Sequence, residues 1–284
     1  MTAAGGIMRP LSVAALMLLG ACKAPEDAPE SISEPMVTLF SDFSGEEDRL
    51  RAATLALETA LSTIELTGPL DGRVFTVPAL TPETLGELSF PEGIDGSSQV
   101  PVAVAGQSAH PLAASIDTAV LPSQVCIESN STVWYERNFE SDAACFADGT
   151  CANLETTNAV HKKKLVIDLW YRLLKDYRAF SLEDGRRAMI ARSWTDEPWV
   201  GVGGNNTLDL SFALEVWLEN EADPALTDRF YAMWSGGESG FDDAFYATIV
   251  KMGMDEGYEN ADAYMSGDTD CGVNPDDSDR PEGL

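Results

Sequence analysis

The sequence predicts an α+β fold, an antiparallel sheet packed against long helices. Three observations carry that expectation. Leu208, Leu210, Phe212, Leu214, Val216 and Leu218 alternate with Asp209, Ser211, Ala213, Glu215 and Trp217, a period of two with one face buried and one wet. Leu50, Ala53, Leu57, Leu61 and Ile64 share one face at helical spacing. From residue 132 onward the pattern runs strand, helix, about three or four strands, then a closing helix, with no internal repeat.

Taken in order, Ser44-Gly-Glu-Glu47 reads as a capping box that opens the first long helix, and Gly68-Pro69 ends it. Residues 69 to 99 carry Pro, Gly and one short helix, with Thr81 as cap and Pro82 in the first position. Val100 to Ala105 is an apolar strand. Val133 to Phe139 alternates, with Val133, Tyr135 and Phe139 opposite Trp134, Glu136 and Asn138. Asn158 is expected to cap a second long helix through Tyr177, with a stripe of Val166, Leu169, Trp170, Leu173, Leu174 and Tyr177. Lys162, Lys163 and Lys164 oppose the dipole at its start, so neighbouring acids must offset them. Phe180 to Leu182 leads through the turn Glu183-Asp-Gly185 into a strand from Arg187 to Trp194. The alternating strand from Leu208 follows, then Arg229 to Trp234. A helix from Phe241 to Met254 closes the domain, with Phe241, Phe245, Thr248, Ile249 and Met252 on one face. This order is similar to helix-grip folds, a lipid- and small-molecule-binding superfamily in which a curved sheet wraps a C-terminal helix. The similarity is of element order only, so it assigns no residue a role.

The start of the chain carries an address. Arg9 is a positive flank, and Leu11 to Leu19 is an apolar run too short to span a bilayer, which takes about 20 residues. Leu19-Gly20-Ala21-Cys22 then resembles the lipobox of bacterial lipoproteins. That resemblance covers the leader alone. It implies cleavage before Cys22, lipid on its thiol, and a protein anchored in the cell envelope. Lys23 stands where Asp favours inner-membrane retention in enterobacterial lipoproteins, which points to the outer membrane. Residues 1–21 are thus read as a signal peptide and 22–36, rich in Pro and acids, as a tether. Residues 37–266 are read as a single α+β domain and 267–284 as an acidic tail.

The chain has 47 acidic and 18 basic residues, a formal net charge of −29. Such a surface repels nucleic acid and anionic headgroups. Four cysteines remain, Cys126, Cys145, Cys151 and Cys271, and four thiols in an exported chain imply two disulfides. The Asp148-Gly149 turn favours a Cys145–Cys151 loop, which leaves Cys126 for Cys271. A zinc site is the alternative, but neither histidine stands at ligand-like spacing from the thiols.

Four sets of residues could carry chemistry. Gly106-Gln-Ser108-Ala-His110 after an apolar strand begins like a nucleophile elbow. However, His110 stands where a small residue is needed, and His161 is the only other histidine. Arg137, Arg187, Arg192 and Arg229 all fall on expected strands, where they could clamp a carboxylate or phosphate or pair with acids across strands. Asp268 and Asp270, with Asp276, Asp277 and Asp279, offer oxygen ligands for calcium, but Gly272 is misplaced for an EF-hand loop and the closing Glu is absent. Six tryptophans cluster from Trp134 onward, and Trp194 and Trp199 form the best candidate for an exposed pair. No pattern argues for a cofactor. The expectation is a non-enzymatic envelope lipoprotein that binds a small ligand or an envelope protein. A serine hydrolase built on Ser108 and an outer-membrane structural or assembly factor are the alternatives.

Overall fold

A computed structural model of the chain describes residues 26–66, 73–164, 167–204, 206–272, 274, 280–281 and 283–284. The leader with Cys22, the Gly68-Pro69 stop, Val166 and the acids Asp276, Asp277 and Asp279 lie outside the described residues. The chain order is β1 (Glu26–Asp27), α1 (Glu30–Ser41), α2 (Glu47–Leu61), β2 (Val74–Thr76), β3 (Val100–Ser108) and α3 (Leu112–Ala119). There follow β4 (Thr132–Phe139), α4 (Ala143–Ala147), β5 (Asn153–Lys164), β6 (Ile167–Ser181), β7 (Arg187–Trp194), β8 (Trp199–Val200) and β9 (Thr207–Leu208). The chain closes with β10 (Leu210–Glu219), β11 (Thr227–Gly236) and α5 (Asp243–Met265).

Among the described residues one nine-stranded sheet has the order β1-β2-β3-β11-β10-β7-β6-β5-β4. Its pairs are antiparallel except β1 with β2. Helices α1 and α2 cover one face. There Leu210, Phe212, Leu214, Val216 and Leu218 meet Met36, Leu39, Phe40, Leu50 and Leu57 in the largest apolar core. Trp234 sits in this core and donates its indole N–H to the Pro78 carbonyl at 2.8 Å. The other face lies under α5 and α3. The chain is α+β, with the helix-grip order of an antiparallel strand series closed by a long C-terminal helix packed on the sheet.

Several expectations are corrected. Residues 158–164 and 167–177 form no helix; they belong to the antiparallel pair β5–β6, matched from Asn153↔Arg178 to Lys164↔Ile167. The pair is buried on both faces, Leu169 and Tyr171 on one and Trp170 on the other, so apolar residues accumulate at helix-like spacings. Lys162 and Lys164 pair with Glu128 and Glu256, and Lys163 with Asp168, a residue of the same strand pair. The supposed tether ends early, because α1 begins at Glu30. Ile32, Met36, Leu39 and Phe40 bury completely, at about 1.5–3 kcal/mol each, which outweighs the roughly 3 kcal/mol cost of the interior Pro35. The capping box is absent. Helix α2 starts at Glu47 without a side-chain cap, and Ser44 instead donates to Glu87 at 2.5 Å. The Thr81-Pro82 segment is a turn, in which Leu85 N–H reaches the Thr81 carbonyl at 3.0 Å. Helix α5 extends beyond Met254 to Met265 and turns a different face inward, leaving Phe245 and Met252 about half exposed. The polar face of β10 is not wet, since Ser211 and Ala213 are buried beneath α5.

Both disulfides pair as expected, Cys126–Cys271 and Cys145–Cys151, with Cα separations of 4.9 and 5.1 Å. Gly149 takes φ 79° in the turn that closes the smaller loop. The acidic tail is docked at two points: Asn274 accepts from Tyr135 N–H at 3.2 Å and donates to the Tyr135 carbonyl at 3.0 Å, and Arg280 pairs with Glu136. With Arg137 N–H bound to the Pro122 carbonyl at 2.9 Å, these contacts occupy the free edge of β4.

Candidate functional site

Strand register brings distant residues to one place. On the α5 face, Tyr135 of β4 lies opposite Val160, which lies opposite Tyr171 of β6. Further along, Lys175, Ser193, Ala213 and Met233 line up across four strands, and beside them run Tyr177, Ala191, Glu215 and Tyr231. From α5 the residues Tyr246, Val250, Met254, Tyr258, Ala261 and Met265, spaced three or four apart, face the same space. Between helix and sheet lies a cavity of about 240 Å³. Gly106 of β3 lets the helix sit close, because a Cβ there would come within 2.9 Å of the Tyr258 ring.

Six of the chain's seven tyrosines line this cavity: Tyr135, Tyr171, Tyr177, Tyr231, Tyr246 and Tyr258. Burial holds the protons of Tyr135, Tyr171, Tyr231, Tyr246 and Tyr258 tightly. It pushes Tyr135 up to about 12, against the pull of Arg137, and raises Tyr171 and Tyr231 well above the ordinary tyrosine value. Apolar stretches come from Leu169, Leu173, Met189, Ile249 and Met254. Charged groups in the wall are mostly neutralised locally. Lys175 is bonded to Glu215 at 2.5 Å; burial opposes its charge, but the carboxylate overcomes this and raises its pKa. Lys162 meets Glu128 at 3.4 Å, and Arg229 pairs with Asp262 at 3.0 Å while lying 4.1 Å from the Tyr258 ring centre. A few polar groups set among apolar side chains can orient a molecule with both characters.

The residues singled out in the sequence do not converge. Ser108 is buried at the end of β3 and donates to Asp262 at 2.6 Å. The His110 ring turns to Ser266 at 3.1 Å. His161 lies on the far side of the sheet, with four strands between β3 and its own β5, stacked on Trp170 and bonded to Asp168 at 2.7 Å. The three therefore assemble no nucleophile–base pair, which needs hydrogen-bond reach. Of the four arginines, Arg137 and Arg229 lie on the cavity side. Arg192 lies on the α1–α2 side, sandwiched near Phe43 and Trp194 and paired with Glu87. Arg187, at the start of β7, points its guanidinium toward the Gly149 turn. Asp268 and Asp270 are exposed, and among the described residues no acidic, His or Cys group is arranged to hold a metal. Trp194 and Trp199 form no exposed pair; both are half-buried, Trp194 against the main core and Trp199 against Leu208 and Tyr171. The tyrosines were missed. The sequence signal of Tyr135, Tyr171, Tyr177 and Tyr231 is placement on strands, which register converts into one face, and that of Tyr246 and Tyr258 is helical spacing on α5.

The fold and site together define a class: an α+β protein with its C-terminal helix packed on an antiparallel sheet over a cavity of small-ligand size. No protein-family model matches the chain, and no curated protein matches it. Among solved structures, it is similar to a STAR-related lipid transfer protein from Xanthomonas axonopodis, at 9% identity and a TM-score of 0.43, over 61% of this chain and 90% of that one. It is also similar to Ara h 8.0201, at 8% identity and a TM-score of 0.33, over 60% of this chain and 99% of that one.

Proposed function

We propose that this chain is a non-enzymatic binding protein of the bacterial envelope that holds a small amphiphilic ligand between its sheet and α5. The cavity carries the reading: about 240 Å³, lined by tyrosine side chains and buried charges interspersed with aliphatic side chains. That volume lies just below the roughly 300–1,000 Å³ of drug-sized ligand sites, so the ligand is small. The lipobox-like Leu19-Gly20-Ala21-Cys22 supports an address at a membrane, with lipid on Cys22 and an outer-membrane location.

One measurement addresses both parts. Native mass spectrometry of the protein released gently from its host's membranes is expected to show a stoichiometric non-covalent mass. After denaturation, the same sample is expected to show an N-terminus at Cys22 carrying acyl groups. A bare native mass would count against ligand binding, and an unacylated N-terminus would count against the anchor.

A further inference from the structure

Arg137 differs from the other buried cations around the cavity. Its residue exposure is only 4%. Its Nε donates to Asn158 Oδ1 at 3.0 Å and its Nη1 to the Ala119 carbonyl. Its Nη2 donates to the hydroxyls of Tyr135 at 3.3 Å and Tyr177 at 2.9 Å. Every partner is neutral. Lys175, Lys162 and Arg229 each have a carboxylate, whereas no described carboxylate forms an ion pair with Arg137. A buried, unbalanced charge costs several kcal/mol, in a chain with carboxylates in large excess.

The two phenols relay this charge to the cavity. Each accepts from Arg137 and keeps one O–H proton, for which no described residue supplies an acceptor. Both tyrosines line the cavity, and a shared guanidinium nitrogen holds their oxygens near each other. The result is a pair of hydroxyl donors backed by one uncompensated positive charge. With Lys175 already neutralised by Glu215, the surplus matches a single negative charge.

We propose that the ligand bears a carboxylate, whose oxygens accept the protons of Tyr135 and Tyr177 while Arg137 behind them supplies the counter-charge. This rests on the small-ligand reading and names the ligand's polar end. Arg137 acts through the tyrosines as a positioning residue, because it does not itself line the cavity.

The test is calorimetric titration of the full mature chain with saturated carboxylates from butanoate to dodecanoate, each against the primary alcohol of equal length. The best carboxylate is expected to bind about tenfold or more tightly than its alcohol, the range of a hydrogen bond to a charged group. Tyr177→Phe and Tyr135→Phe keep the rings but remove the donors. Each should cut the acid-to-alcohol ratio by about threefold or more, because the acid loses a hydrogen bond to a charged group and the alcohol at most a neutral one. Equal binding of acids and alcohols, or an unchanged ratio in both variants, would overturn the proposal. If neither series binds, it falls as well. The broader reading is then judged from the host-purified protein, where a co-purified neutral molecule would preserve ligand binding without a carboxylate.

Discussion

A carboxylate that loses water on folding without gaining a full set of partners holds its proton longer. Asp255 on α5 is in that position: its Oδ1 is buried without a hydrogen-bond partner. Burial raises its pKa from 3.8 to about 6; Lys251 and Arg73 pull it down and Glu259 pushes it up. The folded state thus binds this proton more tightly than the unfolded chain does. The associated stability is fully present below about pH 4 and is lost as pH rises through about 6. Asp255→Asn should therefore stabilise the protein near pH 8 by about 1 kcal/mol, discounted for partial exposure, and the gain should vanish toward about pH 4. Urea unfolding across that range checks it; a destabilised Asn variant near pH 8 would mean that the carboxylate is favourably paired. The sequence marks the ionisable residues but not their partners. Arg137 and Arg192 look alike on their strands, yet one has only neutral partners and the other has Glu87.

At the scale of elements, α5 carries glycines where it meets its neighbours. Gly257 lies inside the helix, and the nearest atom to an added Cβ would be the Ile127 carbonyl oxygen at 3.8 Å. Gly257→Ala should raise stability by roughly 0.5–1 kcal/mol by removing the entropy cost of a helical glycine. Gly106→Ala should act the other way, by about 1–3 kcal/mol, because its Cβ would press on the Tyr258 ring at 2.9 Å. Thermal melts of the two variants should move in opposite directions. Elements with a clean pattern were legible: β10 because its second face, though covered, keeps small or polar residues such as Ser211, Ala213 and Glu215, α2 through its spacing, and the turn at Glu183-Asp-Gly185. Elements with large apolar residues on both faces were not. In β6 the apolar residues serve two faces at once, so the period of two is filled in and a helix is imitated. Helix α1 had a readable signal in Ile32, Met36, Leu39 and Phe40, obscured by the acids and prolines around it. The cavity had no local signal, since its tyrosines span positions 135 to 258 and meet only through strand register and the packing of α5 on the sheet.

Over the whole molecule, the two disulfides constrain very different lengths of chain. Cys145 and Cys151 are 6 residues apart, and Cys126 and Cys271 are 145 apart. On the chain-entropy account the short loop contributes about 2 kcal/mol and the long one about 5 kcal/mol. Replacing Cys126 and Cys271 together by Ser should lower the denaturation midpoint more than replacing Cys145 and Cys151. Equal losses would place the benefit in local packing rather than in restriction of the unfolded chain.

The docked tail has one more effect. A broad sheet with an open margin is a template on which further copies can stack, strand upon strand. Here one margin is the two-residue acidic β1, and at the other the Asn274 amide occupies both backbone groups of Tyr135. Asn274 stands three residues beyond Cys271, so the long bridge also holds a stopper in place. Reducing the bridge would remove that restraint, while the Arg137 N–H stays bonded to the Pro122 carbonyl on the same margin. The oxidised bridge thereby helps to keep this margin closed to further strands.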